Sequence, residues 1–187
     1  MRTGIFDLET SSLYADTSIL LCCVIHKYDS SDKPIVFRAD QFPQWKKDRT
    51  DSRPIVEKVL EALGDFDLLV AHNGQFFDKT MLTSWALKYR HRRVDIRFTK
   101  FIDPVLLARR HMRISRRSLG NLLQFLEIPQ KKTDILWSHW MRATMNGDST
   151  SLDYIVKHCV ADVQVLEKAY DVVKKLVKGI DEKKKER

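Results

Sequence analysis

Length, composition and charge exclude several classes of protein. With 187 residues, 43% of them hydrophobic, the chain can bury a core as one domain, and no apolar run approaches the roughly 20 residues of a membrane span. Three cysteines, two of them adjacent at Cys22 and Cys23, are too few for a disulfide framework. Because Met1 leads directly into a strand-like segment instead of a signal peptide, we expect a cytoplasmic, intracellular protein.

The positive charge is concentrated in one segment. The formal net charge is +8, and segment 88–117 alone carries +9, from eleven Lys/Arg against Asp95 and Asp103. Such a concentration is typical of proteins that neutralise the phosphates of nucleic acid, although a solvated basic face without a partner has the same composition. A mixed Lys/Glu stretch ends the chain, and we interpret it as a basic C-terminal tail, 179–187, after a domain at 1–178.

Three predicted strands open the chain. The segments 4–8 and 19–25 are short apolar runs, and strand character resumes at 35–37 after a turn cluster that ends at Pro34. Short connections of this kind join neighbouring antiparallel strands. We therefore predict a three-stranded antiparallel opening.

Helices and one further strand make up the rest of the chain. Ser52 followed by Pro54 begins a helix that Gly64 ends, and 67–71 is another buried strand. Further helical patterns cover 77–90, 104–111, 118–126, 135–145 and 151–177. Without repeats or a long linker, this order predicts one α/β domain whose mixed sheet is flanked by helices.

Two acidic residues lie in the first predicted strand. Asp7 and Glu9 are at positions i and i+2, so they project to the same face of the sheet. Two carboxylates among apolar neighbours repel each other unless a cation lies between them. Phosphodiester hydrolysis uses such acids to hold two divalent ions about 4 Å apart, and Mg²⁺ and Mn²⁺ prefer carboxylate oxygens. The pair alone is a weak signal, because it also occurs by chance.

Two further acids lie near predicted helices. Asp78 follows Asn73 where a buried strand ends and a helix begins, which is the edge at which α/β proteins build their sites. His158 and Asp162 are at positions i and i+4 of the last helix, and this spacing places them on one helix face, about 6 Å apart.

Together these residues form three motifs that resemble those of a known family. The motifs are Phe6-Asp7-Leu8-Glu9-Thr10, Asn73-x-x-x-Phe77-Asp78 and Cys159-Val160-Ala161-Asp162-Val163. In this order they are similar to the motifs of the DEDD 3′–5′ exonucleases, most closely the exonuclease domain of B-family DNA polymerases and its stand-alone relatives. The resemblance covers about residues 4–170 and implies a ribonuclease H-like mixed sheet, with the antiparallel opening followed by parallel strands.

The resemblance implies a role for each of the four acids. Asp7, Glu9 and Asp162 would hold the cation that activates water, and Asp7 would bridge to a second cation that Asp78 helps to hold through water. The implied cofactors are two divalent cations, Mg²⁺ or Mn²⁺.

His158 is the candidate for orienting the attacking water. One subgroup of the family has Tyr-x3-Asp and the other His-x4-Asp, whereas this chain combines the first spacing with the second residue type. A histidine near neutrality suits a water-orienting base. The alternative is a helix histidine that is bonded to a neighbour.

The resemblance also implies four substrate-binding residues: Thr10, Leu13, Asn73 and Phe77. Leu13 matches a position where the family wedges an apolar side chain between the last two bases, and a loop leucine that simply packs is equally compatible. Either Phe77 or Phe76 stacks on a base while the other lies in the core. Asn73 contacts the end nucleotide or caps the following helix.

Other polar and aromatic positions have structural interpretations. Asp103 before Pro104 predicts a helix N-cap, with an outer role at the metal site as the alternative. We interpret Trp137, His139 and Trp140 as an interhelical cluster. No paired Cys-x2-Cys spacing exists, which argues against a zinc site.

The sequence therefore predicts a metal-dependent 3′–5′ exonuclease that hydrolyses single-stranded DNA to 5′-mononucleotides. DNA is favoured over RNA only by the resemblance to polymerase-type motifs, so a 3′–5′ exoribonuclease is the nearest alternative. An inactive nucleic-acid-binding module is disfavoured because all four acids are present, and an endonuclease is disfavoured by the second motif. Proofreading would require a separate polymerase partner, and a free-standing repair or degradation enzyme is equally compatible.

Overall fold

A computed structural model of the chain describes residues 1–129 and 136–177. The predicted basic tail at 179–187 lies outside the described residues, as do the last residue of the predicted 1–178 domain and the first residue of the helix predicted at 135–145. Within the described ranges, no helix combines the length and the apolar character needed to cross a bilayer.

Five strands form one mixed sheet in the order β3-β2-β1-β4-β5. The strands are β1 (Thr3–Thr10), β2 (Leu20–Lys27), β3 (Ile35–Arg38), β4 (Leu68–Val70) and β5 (Lys100–Ile102). The first three are antiparallel to one another, whereas β4 runs parallel to β1 and β5 parallel to β4. The predicted mixed sheet with an antiparallel three-stranded opening is thus confirmed.

Seven α-helices surround this sheet in the described part of the chain. They are α1 (Gln44–Lys47), α2 (Arg53–Leu63), α3 (Asp78–Lys88), α4 (Pro104–His111), α5 (Leu119–Phe125), α6 (Trp137–Asn146) and α7 (Ser149–Val173). Short 3₁₀ turns lie at Ala39–Gln41, Arg92–Phe98 and Lys174–Leu176. The six predicted helices correspond to α2–α7, whereas α1, β5 and the 3₁₀ turns were not predicted.

Local sequence explains where several helices begin and end. Pro54 lies in the first turn of α2, and Gly64 follows its last residue, as the proline and glycine preferences of helix ends predict. Asp103 caps α4, because its side chain accepts a hydrogen bond from the backbone N–H of Val105 at 2.9 Å. The predicted N-cap is therefore confirmed.

The core lies on both faces of the central strands. Every residue of β2 from Leu20 to Ile25 is at most 1% exposed, which requires cover on both faces because successive side chains alternate. α7 packs on β1 and β2, while α2 packs on β2, β3 and α3.

The aromatic cluster predicted between helices joins α6 to α7. The His139 ring stacks on Tyr154 with centroids 4.0 Å apart, and Trp140 meets both Tyr154 and His158 edge to face. Trp137 stacks on Trp140 but is itself exposed. The cluster fixes the first half of α7 and with it the face that carries Asp162.

Candidate active site

The first two acids lie side by side near the carboxyl end of β1. Asp7 and Glu9 are both half-buried and alternate with the buried Leu8. Oxygen atoms of the two carboxylates lie within 4.8 Å of each other and of the Cys159 thiol. Because Asp7 is paired with Val24 of β2 and Glu9 with Cys22, the positions of both acids are fixed by the sheet.

Asp78 reaches the same strand from the start of α3. Its Oδ1 accepts a hydrogen bond from the backbone N–H of Leu8 at 3.1 Å, between the two β1 acids. The side chain is buried, and burial together with the nearby charge of Asp7 raises the pKa of Asp78 well above its ordinary value. A carboxylate in this position gains most from a cation bound beside it.

The fourth acid approaches from α7. Cys159 lies one turn before Asp162 on this helix, and its thiol Sγ lies 3.5 Å from both the backbone oxygen and Oδ2 of Asp7. Asp162 is buried and lines a cleft together with Asp7. The structure therefore places Asp7, Glu9 and Asp78 at the end of β1. From a third element it brings Asp162 to a cleft that Asp7 also lines.

His158 lies on the same helix face as Asp162, as the spacing predicts. Its Nε2 is 3.7 Å from Oδ2 of Asp162, and its ring packs edge-on against Trp140. The side chain is 3% exposed. His158 thus contacts a site acid while most of its ring is held in the α6–α7 packing, which is compatible with orientation of water and with the structural alternative.

A tight loop before α3 positions Asp78. Asn73 adopts a left-handed backbone, with φ of 61°, and the loop is fastened by Asp103, whose two carboxylate oxygens accept from the backbone N–H groups of Asn73 at 3.0 Å and Gln75 at 3.1 Å. Burial raises the pKa of Asp103. One side chain thus caps α4 and holds the loop that delivers a site acid.

The predicted substrate-binding residues are placed in different environments. Thr10 is buried, and its hydroxyl donates to the Ser12 carbonyl at 2.7 Å, whereas Leu13 is 72% exposed. Phe77 is half-buried and packs against the core. Of the two neighbouring rings, Phe76 is the exposed one, at 63%.

Asn73 lines the cleft, but it does not cap α3. The helix begins at Asp78 after Phe77 and has no side-chain cap. The Asn73 carbonyl instead accepts from the backbone N–H groups of Phe76 and Phe77. The capping alternative is therefore wrong, because the chain makes a full turn between Asn73 and the helix.

The cleft also contains residues that the sequence did not single out. It has a volume of about 390 Å³, and the side chains lining it include His72 and Arg117 beside Asp7, Asn73 and Asp162. His72 directly follows Ala71 at the carboxyl end of β4, a position that would have been a usable signal. Arg117 was visible only as one of many basic residues in its segment.

A larger groove lies elsewhere on the surface. It has a volume of about 810 Å³ and is lined by α2 and the Arg92–Phe98 turn, with Lys58, Glu61 and Asp65 among its side chains. None of the predicted site residues lines it. Size alone therefore does not locate the chemistry, and the acid-lined cleft is the candidate site.

Residues 5–174 match the family model of the RNase H superfamily, and the chain belongs to this superfamily. The fold is similar to that of the family B DNA polymerase from the hyperthermophilic archaeon Pyrobaculum calidifontis, with a TM-score of 0.71 and 14% sequence identity. That similarity covers 93% of this chain and 24% of the polymerase, so the chain spans about a quarter of the polymerase's length. Among curated proteins, no significant match exists.

These similarities confirm the ribonuclease H-like fold that the three motifs predicted. They also support the predicted resemblance to a family that includes the exonuclease domain of B-family DNA polymerases. Nuclease activity in general is the function that this fold and family support. Nucleic acid is the corresponding class of substrate.

Proposed function

We propose that the chain is a metal-dependent 3′–5′ exonuclease that hydrolyses single-stranded DNA to 5′-mononucleotides. The observation that carries this proposal is the placement of Asp7, Glu9 and Asp78 at one end of β1, beside a cleft that Asp7 and Asp162 line. Four acids gathered from distant parts of a chain repel one another, so their convergence is best explained by cations that they bind.

The donor atoms at the site fit Mg²⁺ or Mn²⁺. Carboxylate oxygens are the preferred ligands of these ions. Burial and the nearby Asp7 charge raise the pKa of Asp78, and a bound cation would offset both effects. Asp7, Glu9 and Asp162 would hold one ion, while Asp7 and Asp78 would hold the second. When bound, the two ions would supply activation of water and stabilisation of the leaving oxygen.

Side chains of the protein perform the remaining tasks. The hydrogen bond from Leu8 holds Asp78 in place, and the contact between His158 and Asp162 orients the imidazole beside the acids. We assign to His158 the task of orienting the attacking water and accepting its proton. Because the sheet and the helices hold these side chains in fixed positions, the side chains would stay aligned with the bound nucleic-acid strand.

Residues around the cleft would bind the 3′-terminal nucleotides. Asn73 lines the cleft, and Leu13 and Phe76 expose apolar surface on which bases can stack. Thr10, which directly follows Glu9 on β1, is the further residue that we assign to substrate binding. The preference for DNA over RNA is supported only by the polymerase-type motifs.

One assay tests the proposal. The protein is incubated with 5′-labelled single-stranded DNA and RNA oligonucleotides, with Mg²⁺, Mn²⁺ or EDTA, beside Asp162→Ala and Asp162→Asn variants. We expect a descending ladder on DNA that disappears in EDTA and in both variants, with 5′-mononucleotides as products.

Other outcomes of this assay favour the alternatives. A ladder on RNA alone would identify an exoribonuclease, and internal cuts would identify an endonuclease. Binding of the oligonucleotides without metal-dependent cleavage would leave the inactive binding module. Cleavage that persists in Asp162→Asn would show that the four-acid site is not the catalytic one.

A further inference from the structure

Arg117 brings a permanent positive charge to a cleft that is otherwise acidic. The cleft is lined by Asp7 and Asp162, and among the described residues that line it, Arg117 is the one lysine or arginine. The Arg117 side chain is exposed. A guanidinium group in this position is close to the acids yet accessible to a ligand that enters the cleft.

The backbone around Arg117 is held in place by α5. The Asn121 side-chain amide donates to the Arg116 carbonyl at 2.7 Å, and the Ser118 hydroxyl accepts from the Asn121 backbone N–H at 3.4 Å. Leu119 is buried in the core. Backbone groups on both sides of Arg117 are therefore anchored, so little further ordering of the loop is needed when the side chain binds a ligand.

The substrate of the proposed reaction supplies a matching ligand. A nucleic-acid strand carries one negative charge per nucleotide, and this charge is repelled by the carboxylates of the site. An arginine binds phosphate through two parallel N–H donors, so charge attraction and hydrogen-bond geometry both favour the contact. A guanidinium in the cleft lining offsets the repulsion where the strand enters.

On these grounds we infer that Arg117 binds a backbone phosphate of the single strand that occupies the cleft. The inference rests on the proposed function, and it assigns to Arg117 a part in substrate binding and positioning that its neighbours in the basic segment do not share. Arg116 provides the comparison, since it is exposed and lies on the same loop but does not line the cleft.

The test compares Arg117→Ala with Arg116→Ala, which remove the same charge from adjacent positions, and with Arg117→Lys. Binding of a fluorescein-labelled oligothymidylate is measured by anisotropy between 50 and 200 mM salt, with Asp162→Asn as the background that prevents cleavage. KM and kcat are measured with Asp162 intact, and thermal unfolding checks that each variant is folded.

For Arg117→Ala we expect the Kd and the KM to rise about tenfold, which corresponds to about 1.4 kcal/mol, because a charge-assisted hydrogen bond is lost. The slope of log Kd against log salt should fall by about 0.7, the value for one phosphate contact on a single strand. Arg117→Lys should retain part of the affinity, and Arg116→Ala should change the Kd less than about twofold, since a solvated charge outside the cleft acts only through screened long-range attraction.

Equal effects of Arg117→Ala and Arg116→Ala would overturn the inference, because the basic segment would then act only through its overall charge. An unchanged Kd in Arg117→Ala would overturn it as well. Failure of the proposed function is seen separately: a wild-type chain that binds the oligonucleotide but never cleaves it refutes the exonuclease, while the binding comparison still decides the role of Arg117.

Discussion

Asp78 is an acidic side chain that the fold holds in a position where its negative charge is unfavourable. It is 2% exposed and receives a hydrogen bond from the Leu8 backbone. Burial first, and the charge of Asp7 second, raise its pKa well above the usual range. Such a group stabilises the folded chain when it is neutral or next to a cation, and destabilises it when it is charged and alone.

The sign of the resulting pH dependence follows from the raised pKa. Below the unfolded-state pKa of about 4, Asp78 is protonated in both the folded and the unfolded chain, so its charge does not lower the stability. Above it, the unfolded chain releases the proton while the folded chain retains it, so the metal-free protein loses stability as the pH rises toward the folded-state pKa. At pH values above the folded-state pKa of Asp78, this loss of stability remains.

We therefore predict that Asp78→Asn stabilises the metal-free protein at neutral pH. An asparagine keeps an oxygen for the Leu8 N–H and carries no charge. The melting temperature in EDTA at pH 7 should rise by several degrees, since about 1 kcal/mol corresponds to about 2–4 °C in a domain of this size, while nuclease activity is lost. Thermal unfolding from pH 4 to 8 tests this, and the same pH dependence in wild type and variant would contradict it.

The two histidines near the acids allow the water-orienting role to be assigned by comparison. His158 is buried against Trp140 and lies 3.7 Å from Asp162, whereas His72 is half-buried in the cleft lining. Loss of a general base typically costs about 10²–10⁴-fold in rate.

For His158→Ala we expect a loss of kcat in that range, with Mn²⁺ affinity by calorimetry unchanged. His72→Ala is the matched comparison and should change kcat much less. A large loss in His72→Ala with an unaffected His158→Ala would transfer the role to His72. Thermal unfolding separates a catalytic effect of His158→Ala from loosened packing around Trp140.

At the scale of elements, the loop between β4 and α3 has little freedom. Gly74 lies between Asn73 and Gln75, the two residues whose N–H groups are bound by Asp103. A methyl group on Gly74 would lie 2.4 Å from the Ala71 Cβ and 2.8 Å from the Phe101 ring. Gly74 is thus required for the close approach of this loop to β5.

We predict that Gly74→Ala lowers both stability and activity, by about 1–3 kcal/mol for the stability because overpacking a tight contact costs this much. The loop would shift and carry Asp78 with it. Gly120→Ala is the control, since a methyl group there meets nothing within 4 Å and α5 is helical, so stability should rise by about 0.5–1 kcal/mol. Denaturant unfolding measures both, and similar stabilities for the two variants would contradict the prediction.

Sequence patterns predicted elements well where they were long or clearly bounded. The interval 104–111 agrees with α4, because Asp103 and Pro104 mark its start. β5 has only the three residues Lys100–Ile102 and exists through parallel pairing with β4. Pairing between distant segments leaves no periodic pattern in so short a strand, so β5 was not predicted.

In the candidate site, too, residues with a clear local pattern were predicted, whereas residues brought together only by folding were not. The four acids were predicted because each lies in a motif with a distinct local spacing. His72 and Arg117 line the cleft because separate elements fold next to each other. The position of His72 after β4 was a usable signal, but nothing in the immediate neighbours of Arg117 distinguishes it from other basic residues. Phe76 likewise differs from Phe77 only through the direction in which the loop before α3 turns.

At the scale of the whole molecule, cation binding and folding are coupled. The acids come from β1, α3 and α7, so ions held between them join elements that are separated in the chain. A ligand that binds only the folded state stabilises it by about 2.7 kcal/mol at a hundredfold excess over its Kd.

We therefore predict that saturating Mn²⁺ or Mg²⁺ raises the melting temperature by about 5–10 °C at neutral pH. Asp7→Asn removes the acid assigned to both ions and should abolish most of this increase, whereas Asp95→Asn, at an exposed position of the Arg92–Phe98 turn, should not. Differential scanning fluorimetry with and without EDTA measures the effect. An equal increase in Asp7→Asn would indicate that the ions bind elsewhere.

The direction of β1 has a practical consequence for attaching this protein to other objects. The strand runs from Thr3 toward the acids and ends at Thr10, and six residues of extended chain separate Thr3 from Glu9 by about 20 Å. Met1 is exposed at the remote end of the sheet. A biotin, fluorophore or surface linker attached at this end of the sheet would therefore lie far from the cleft.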